Sequence, residues 1–128
     1  MRQLTVAVLV TLIAPLALRA QSPYLVKDIN STATASPISS TPNSFFRFGS
    51  RIFFAASAAG NGGELWSTDG SDAGTTPVAD INTDSGFSSP PRFTVLNGKL
   101  IFNASDGRYG TELWTSDGTA AGTRQVRL

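Results

Sequence analysis

Three oxygen-bearing side chains at alternate positions, Asp80, Asn82 and Asp84, form the arrangement in this chain that most resembles a metal-binding loop. Calcium loops of the EF-hand type place carboxylate and amide oxygens at such positions, followed by a glycine and later by a bidentate glutamate. Here Ser85 stands at the glycine position and Pro91 at the glutamate position. We therefore expect a solvated exit from a strand and no cofactor, with calcium near the three oxygen-bearing residues as the minor alternative.

The residue types that most catalytic sites need are missing from the sequence. The 128 residues include no histidine and no cysteine, which excludes a disulfide, catalysis by histidine and a zinc site of the usual ligands. No serine stands at Ser-x-x-Lys spacing, so no hydroxyl has an evident base. The net charge of +1 gives no reason to expect binding to nucleic acid. The composition therefore predicts a protein that is not an enzyme.

The strongest pattern in the chain is a repeat with a period of 48 residues. Residues 62–75 (GGELWSTDGSDAGT) return as residues 110–123 (GTELWTSDGTAAGT), which indicates an array of one supersecondary unit. We take seven positions per copy as a structural motif. They are Glu64, Leu65, Trp66, Asp69, Gly70, Gly74 and Thr75 in the first copy, and Glu112, Leu113, Trp114, Asp117, Gly118, Gly122 and Thr123 in the second.

Strand signals follow one another at short spacing through both copies, and no window outside the first twenty residues has helical periodicity. We expect strands at residues 45–48, 51–56, 64–68, 76–81, 92–96, 99–104, 111–116 and 124–128. Gly49-Ser50 and Asn97-Gly98 are expected to form the same two-residue hairpin turn, with positive φ at its central residues. A further, orphan strand is expected at residues 24–29, because VKDIN there resembles VADIN in the first copy.

Alternation along the expected strands separates two faces. Leu65 points opposite to Glu64 and Trp66, while Phe54 and Phe102 hold equivalent positions 48 residues apart. We expect these two phenylalanines and both tryptophans to form a core between the units. For the tryptophans, stacking against a sugar is the alternative.

The turn after each tryptophan strand carries an aspartate beside a glycine, at Asp69-Gly70 and Asp117-Gly118. Such a carboxylate can accept hydrogen bonds from its own turn, and the glycine allows positive φ. We expect a structural role for both aspartates, because a shared catalytic role would need a partner in each copy and none is visible.

The repeated segments resemble the ELWxxDGT repeat of exported bacterial β-propeller-like proteins. The flanking VADI and SSPPRFTVLNGKLIF stretches match as well, so the resemblance covers nearly all of residues 24–128. Four short strands per 48 residues is also the size of one propeller blade. The expected fold is therefore all-β, with tandem four-stranded antiparallel meanders as propeller-type blades at residues 45–81 and 82–128. The resemblance implies no known enzymatic activity and no defined ligand.

The first twenty residues have the composition of a secretory signal peptide. Arg2 precedes an uncharged apolar run at residues 4–18, which is too short to span a bilayer comfortably. We expect cleavage after Ala20 and a secreted, cell-surface or periplasmic protein without a membrane segment, an uncleaved anchor being the alternative. Residues 21–44 then hold the orphan strand and a Ser/Thr/Pro-rich loop.

Two units and one orphan strand are too few to close a propeller, which has about four to eight blades. We therefore expect an incomplete propeller, as the N-terminal piece of a longer array or as a chain that self-associates. The expected function is a non-catalytic exported repeat module for binding or cell-surface scaffolding, with further blades, a glycan or a surface protein as partners. The alternatives are a fragment of a propeller hydrolase or lyase whose active site lies in missing blades, and a fragment with no independent function.

Overall fold

The computed structural model describes residues 23–30, 39–58, 62–83, 88, 90 and 92–127. These residues form two four-stranded antiparallel sheets and contain no helix. The strands of the first sheet are β1 (Asn43–Phe48), β2 (Arg51–Ala58), β3 (Gly62–Thr68) and β4 (Thr76–Ala79). Those of the second are β5 (Phe93–Leu96), β6 (Lys99–Ser105), β7 (Thr111–Ser116) and β8 (Arg124–Gln125).

Both sheets are meanders, because the strand order in each follows the order along the chain. Their registers also agree: Phe54 lies opposite Trp66 across β2 and β3, and Phe102 lies opposite Trp114 across β6 and β7. The expectation of an all-β fold with two tandem four-stranded meanders is confirmed. The expected signal peptide at residues 1–20 lies outside the described residues, and within them no helix is long and apolar enough to cross a membrane.

The two hairpin turns differ, although the sequence predicts that they are the same. Asn97 and Gly98 have φ values of 50° and 71°, the pattern of a type I′ turn with both central residues left-handed. In the first sheet only Gly49, with φ of 61°, is left-handed. Ser50 has a Cβ and avoids positive φ, so this turn has the type II′ pattern, with glycine first.

The expectation of a strand at residues 24–29 is wrong, since the described segment 23–30 forms no strand. A strand needs a neighbour to pair with, and both meanders already contain their own fourth strand. The segment instead lies against the first sheet. Ile29 packs on Phe54, Ala56 and Trp66, and the Lys27 ammonium donates to the Asp72 backbone carbonyl at 3.2 Å.

The main apolar core contains residues of both sheets. Phe53, Leu65 and Val78 of the first sheet, with Ile81 of the linker, cluster with three buried residues of β6, which are Leu100, Phe102 and Ala104. The rings of Phe46 and Phe93 meet across the two sheets, with centroids 6.1 Å apart. Full burial of each large apolar side chain contributes about 1.5–3 kcal/mol. This cluster therefore holds the two sheets together.

The four aromatic residues expected in the core divide between two faces. Phe102 is buried in the inter-sheet cluster and Trp114 packs against it, as predicted. Phe54 and Trp66 are buried on the opposite face of the first sheet, where the partner is the 23–30 segment and not a second sheet. Because side chains alternate along β2, the neighbouring Phe53 takes the inter-sheet position.

Candidate functional site

The turn after β3 is held together by its own aspartate. Asp69 Oδ1 accepts hydrogen bonds from the Ser71 backbone N–H at 2.9 Å and from the Ser71 hydroxyl at 2.7 Å. Ser71 Oγ in turn accepts from the Gly74 N–H at 2.9 Å, and the Thr75 hydroxyl donates to the Ser71 carbonyl at 2.7 Å. The hydrogen bonds from Ser71 hold the pKa of Asp69 below its ordinary value.

The turn after β7 repeats this geometry with threonine in place of serine. Asp117 Oδ1 accepts from the Thr119 N–H at 2.9 Å and from the Thr119 hydroxyl at 2.7 Å, and the pKa of Asp117 is lowered for the same reason. A Cβ atom added to Gly122 would lie 2.0 Å from Asp117 Oδ1. A Cβ atom added to Gly74 would lie at the same distance from Asp69 Oδ1. These glycines are needed because the carboxylate occupies the space that a side chain would fill.

Both aspartates therefore bond mainly within their own turns, and the first turn is also joined to β2, because Arg51 donates to the Gly74 carbonyl and lies 3.9 Å from Asp69 Oδ2. Within the described residues, no group of three or more histidine, cysteine or acidic side chains could hold a metal ion. Of the three oxygen-bearing residues considered for calcium, Asp84 lies outside the described residues. Asp80 is exposed, and Asn82 is buried.

A buried carboxylate at the joint between the two units is the unexpected feature of the motif. Glu64 on β3 is only 3% exposed. Its Oε2 atom accepts hydrogen bonds from the Ile81 backbone N–H at 2.8 Å and from the Ser88 hydroxyl at 2.9 Å. The Gly63 carbonyl oxygen lies 2.7 Å from the same Ser88 Oγ, so the single hydroxyl proton is shared between the two acceptors. Glu64 therefore attaches the linker, which leads from the first sheet to the second, to the middle of the first sheet.

Burial sets the protonation behaviour of this carboxylate. Removal from water raises the pKa of Glu64 from 4.5 to about 6, and the negative charge of Asp80 adds to the rise. Hydrogen bonds from the Ile81 N–H, the Ser88 hydroxyl and the Asn82 N–H act in the opposite direction and leave burial as the larger effect. Glu64 thus titrates within a pH range where ordinary carboxyl groups are fully ionised.

The equivalent residue of the second unit has different surroundings. Glu112 on β7 is partly exposed and lines an open polar cleft with Asp106, Arg108 and Gln125. Among the described residues, none donates a hydrogen bond to its carboxylate. The sequence marks both glutamates as motif positions, but it does not distinguish a buried one from an exposed one. The signal that could have done so is the segment Asp80-Ile81-Asn82, which follows β4 in the first unit and supplies the Ile81 N–H.

The two tryptophans of the motif also differ in their hydrogen bonding. The Trp114 indole N–H donates to the Ala104 carbonyl at 3.1 Å. Trp66 is 6% exposed, and its indole N–H has no partner within the described part of the chain. The second carboxyl oxygen of Glu64, Oε1, is likewise buried without a partner there. Glu64 and Trp66 are two residues apart on β3 and line one cavity.

That cavity has a volume of about 300 Å³ and lies beside β3 and β4 of the first sheet. Apolar groups of Pro77, Val78 and Ala79 form much of its wall, and Ala120 from the second unit's turn completes it. The cavity is therefore mainly apolar, and Glu64 and Asp80 are the acidic residues of its lining.

Comparison of the chain with protein-family models, curated proteins and solved structures found no match. The resemblance to ELWxxDGT repeats stays a prediction for that reason.

Proposed function

We propose that this chain is a non-catalytic, exported β-propeller-type repeat module, which acts by stacking four-stranded units and presenting them for binding or surface scaffolding. Support for export comes from the composition of residues 1–20, and support for a propeller-type array comes from the 48-residue repeat. The main support for the proposal is the way in which the two sheets stack. The first sheet packs on the second through an apolar face, and the second sheet exposes the equivalent apolar face.

The stacking face of the first sheet consists of apolar side chains from all four strands, namely Phe46, Phe48, Phe53, Leu65 and Val78. The residues 48 positions later are Thr94, Leu96, Ile101, Leu113 and Val126. Leu65 is fully buried, whereas Leu113 is 50% exposed, and Leu96 and Val126 are similarly open. We call the second set the open face. An apolar face of this kind on a β-sheet is a typical interaction surface.

The occupant that best fits the open face is another four-stranded unit of the same repeat. Within the chain, the stacking face of the first sheet contacts the β6 face that carries Phe102 and Ala104. The equivalent face of the first sheet carries Phe54 and Ala56, on which Ile29 of the 23–30 segment packs, and the exposed Phe45, which stacks on Phe54 with centroids 5.4 Å apart. A second copy of the chain can therefore continue the array head to tail, with its open face against the uncovered part of this face around Phe45.

Two complementary variants test this arrangement. Leu113→Glu places a charge on the open face, and Phe45→Glu places one on the opposite end of the array. Light scattering coupled to size exclusion should show that the unmodified chain associates as its concentration rises, and that each variant alone is a monomer. An equimolar mixture of the two should form a discrete pair, because each retains one intact face.

Val95→Glu is the matched control, since Val95 is 45% exposed but lies on the other face of the second sheet. This variant should associate as the unmodified chain does. A chain that stays monomeric at every concentration, or a mixture of the two variants that forms no pair, would contradict stacking through the open face.

A further inference from the structure

We propose that residues 24–29 bind a second copy of the chain as an added strand, which pairs with β7 of that copy in place of its own β8. This inference rests on the proposed head-to-tail stacking and names the segment that joins two copies. It is carried by the position of residues 24–29, which lie against the first unit as residues 76–81 lie against the second.

The isoleucines of the two segments occupy equivalent places. The sequence YLVKDIN of the first segment aligns without a gap with TPVADIN of the second, so that Ile29 corresponds to Ile81. Ile81 belongs to the buried cluster that contains Phe102 of the second sheet. Ile29 packs on Phe54, which stands 48 positions before Phe102. Each isoleucine therefore lies on the same face of the unit that follows it.

A second correspondence lies two residues earlier. The Lys27 ammonium is 3.2 Å from the Asp72 carbonyl oxygen and 3.3 Å from a carboxylate oxygen of the same residue. The aligned residues of the second unit are Ala79 and Ala120, which line one cavity. Both pairs connect a segment to the turn after the third strand of the following unit. Residues 24–29 therefore hold the place of the fourth strand of a preceding unit.

A fourth strand in this place has a defined partner. The aligned strand β4 pairs with β3, with Ala79 opposite Leu65, and the following Ile81 N–H donates to Glu64 at 2.8 Å. In the described part of the chain, no strand pairs with residues 24–29. An unpaired segment can bind another strand through main-chain hydrogen bonds. The partner expected from the joint within the chain is a third strand with the sequence Glu-Leu-Trp.

Strand β7 of a second copy has this sequence, and its own fourth strand is short. β8 contains two residues, whereas β4 contains four. After β8, the Val126 N–H donates to the Leu113 carbonyl at 2.8 Å, and the Val126 side chain is 43% exposed. Release of β8 therefore gives up little buried surface, while residues 24–29 keep their contacts with the first sheet. The joint predicts Lys27 opposite Leu113 of the second copy.

The exchange also supplies a donor for Glu112. This carboxylate is partly exposed in an open polar cleft, and none of the described residues donates a hydrogen bond to it. In the new joint the Ile29 N–H would donate to Glu112, as the Ile81 N–H donates to Glu64. The two copies would then be connected by the same hydrogen bond that connects the two units of one chain.

Cross-linking tests the predicted pairing, because the chain contains no cysteine. Lys27→Cys and Leu113→Cys are prepared separately, mixed and oxidised. A disulfide-linked dimer should form, since the aligned residues Ala79 and Leu65 are opposite each other in the first sheet. Lys27→Cys mixed with Val95→Cys is the matched control and should remain unlinked, because Val95 lies on the other face of the second sheet.

Proline variants test which segment pairs with β7, by sedimentation measurements of self-association. Val126→Pro removes the N–H that holds the end of β8, so association should strengthen roughly fivefold relative to Val126→Ala. Val26→Pro removes the aligned N–H of the incoming strand, so association should weaken by roughly fivefold or more relative to Val26→Ala. The alanine variants retain the N–H groups and separate their effect from that of the side chains.

Three results would overturn strand exchange while stacking stands. These are a chain that associates without forming the cross-link, weaker association of Val126→Pro, and stronger association of Val26→Pro. The second result is expected if β8 remains in place, and the third if residues 24–29 only cover the first sheet. The cross-link decides the question even if a proline variant does not fold. The Leu113→Glu and Phe45→Glu mixture tests stacking separately.

Discussion

The buried carboxylate of Glu64 should make the stability of the protein fall as pH rises, and replacement by glutamine should remove this effect. Unfolded Glu64 titrates near its ordinary pKa of 4.5, and the folded chain raises this pKa to about 6. Below pH 4.5 both states hold the proton, so the contribution to stability is complete. As pH rises through 6 the folded state must also release its proton, and the contribution is lost.

The size of this effect follows from the two pKa values. Each tenfold change in proton affinity corresponds to about 1.4 kcal/mol, so the rise from 4.5 to about 6 is worth on the order of 2 kcal/mol. Solvent screening reduces it little, because Glu64 is only 3% exposed. Glutamine retains a carbonyl oxygen that can accept from the Ile81 N–H and the Ser88 hydroxyl, but it does not titrate.

Urea unfolding followed by tryptophan fluorescence measures the free energy of unfolding for both proteins at about pH 4 and about pH 7.5. Relative to Glu64→Gln, the unmodified chain should lose about 2 kcal/mol between these two pH values. Comparing the two proteins at both pH values removes any pH-independent effect of the glutamine amide on the free energy of unfolding, together with the titration of all other groups. Glu112→Gln should retain the full loss. Parallel pH profiles for Glu64→Gln and the unmodified chain would refute the reasoning.

Three further predictions concern the turns and the core. Gly74→Ala and Gly122→Ala should each lower the thermal unfolding midpoint, because the new Cβ would displace an aspartate that lies 2.0 Å away. Asp69→Asn should reduce the amount of stability that the protein loses in acid. The lowered pKa of Asp69 stabilises the folded state above about pH 3.8, and this contribution disappears as the pH falls. Circular dichroism from pH 5 to pH 2 would measure the change in stability. Leu65→Ala should cost about 2–5 kcal/mol in urea unfolding, whereas Leu113→Ala at the equivalent exposed position should cost about 1 kcal/mol or less. Equal costs would contradict the asymmetry of the two sheets.

The parts of the fold that local sequence determines could be predicted from the chain alone. The type I′ turn at Asn97-Gly98 depends only on the φ preferences of its two residues. The hydrogen bonds that Asp69 and Asp117 accept within their turns come from residues two positions later, Ser71 and Thr119. Strand alternation likewise placed Leu65 and Trp66 on opposite faces.

The features that could not be predicted depend on what a neighbouring unit provides. Residues 24–29 have the sequence of a fourth strand, but in the described part of the chain no unpaired third strand lies beside them to complete the ladder. The burial of Glu64 depends on Ile81 and Ser88, which are 17 and 24 residues away in a linker of irregular structure. Periodicity within a single strand contains no information about either of these contacts.

The same dependence explains why one motif produces two different environments. Glu64 and Glu112 stand in identical Glu-Leu-Trp triplets, yet only Glu64 has a following linker folded onto it in the described structure. The buried carboxylate, the raised pKa and the cavity beside Trp66 are therefore properties of a joint between two units, not of a single unit. Since Leu65 is buried by the second sheet while Leu113 remains half exposed, adding a unit to the open face should bury Leu113 and surround Glu112 in the same way. The Leu113 and Glu64 variants therefore test the same rule in the two units, namely that the surroundings of the motif depend on the neighbouring unit.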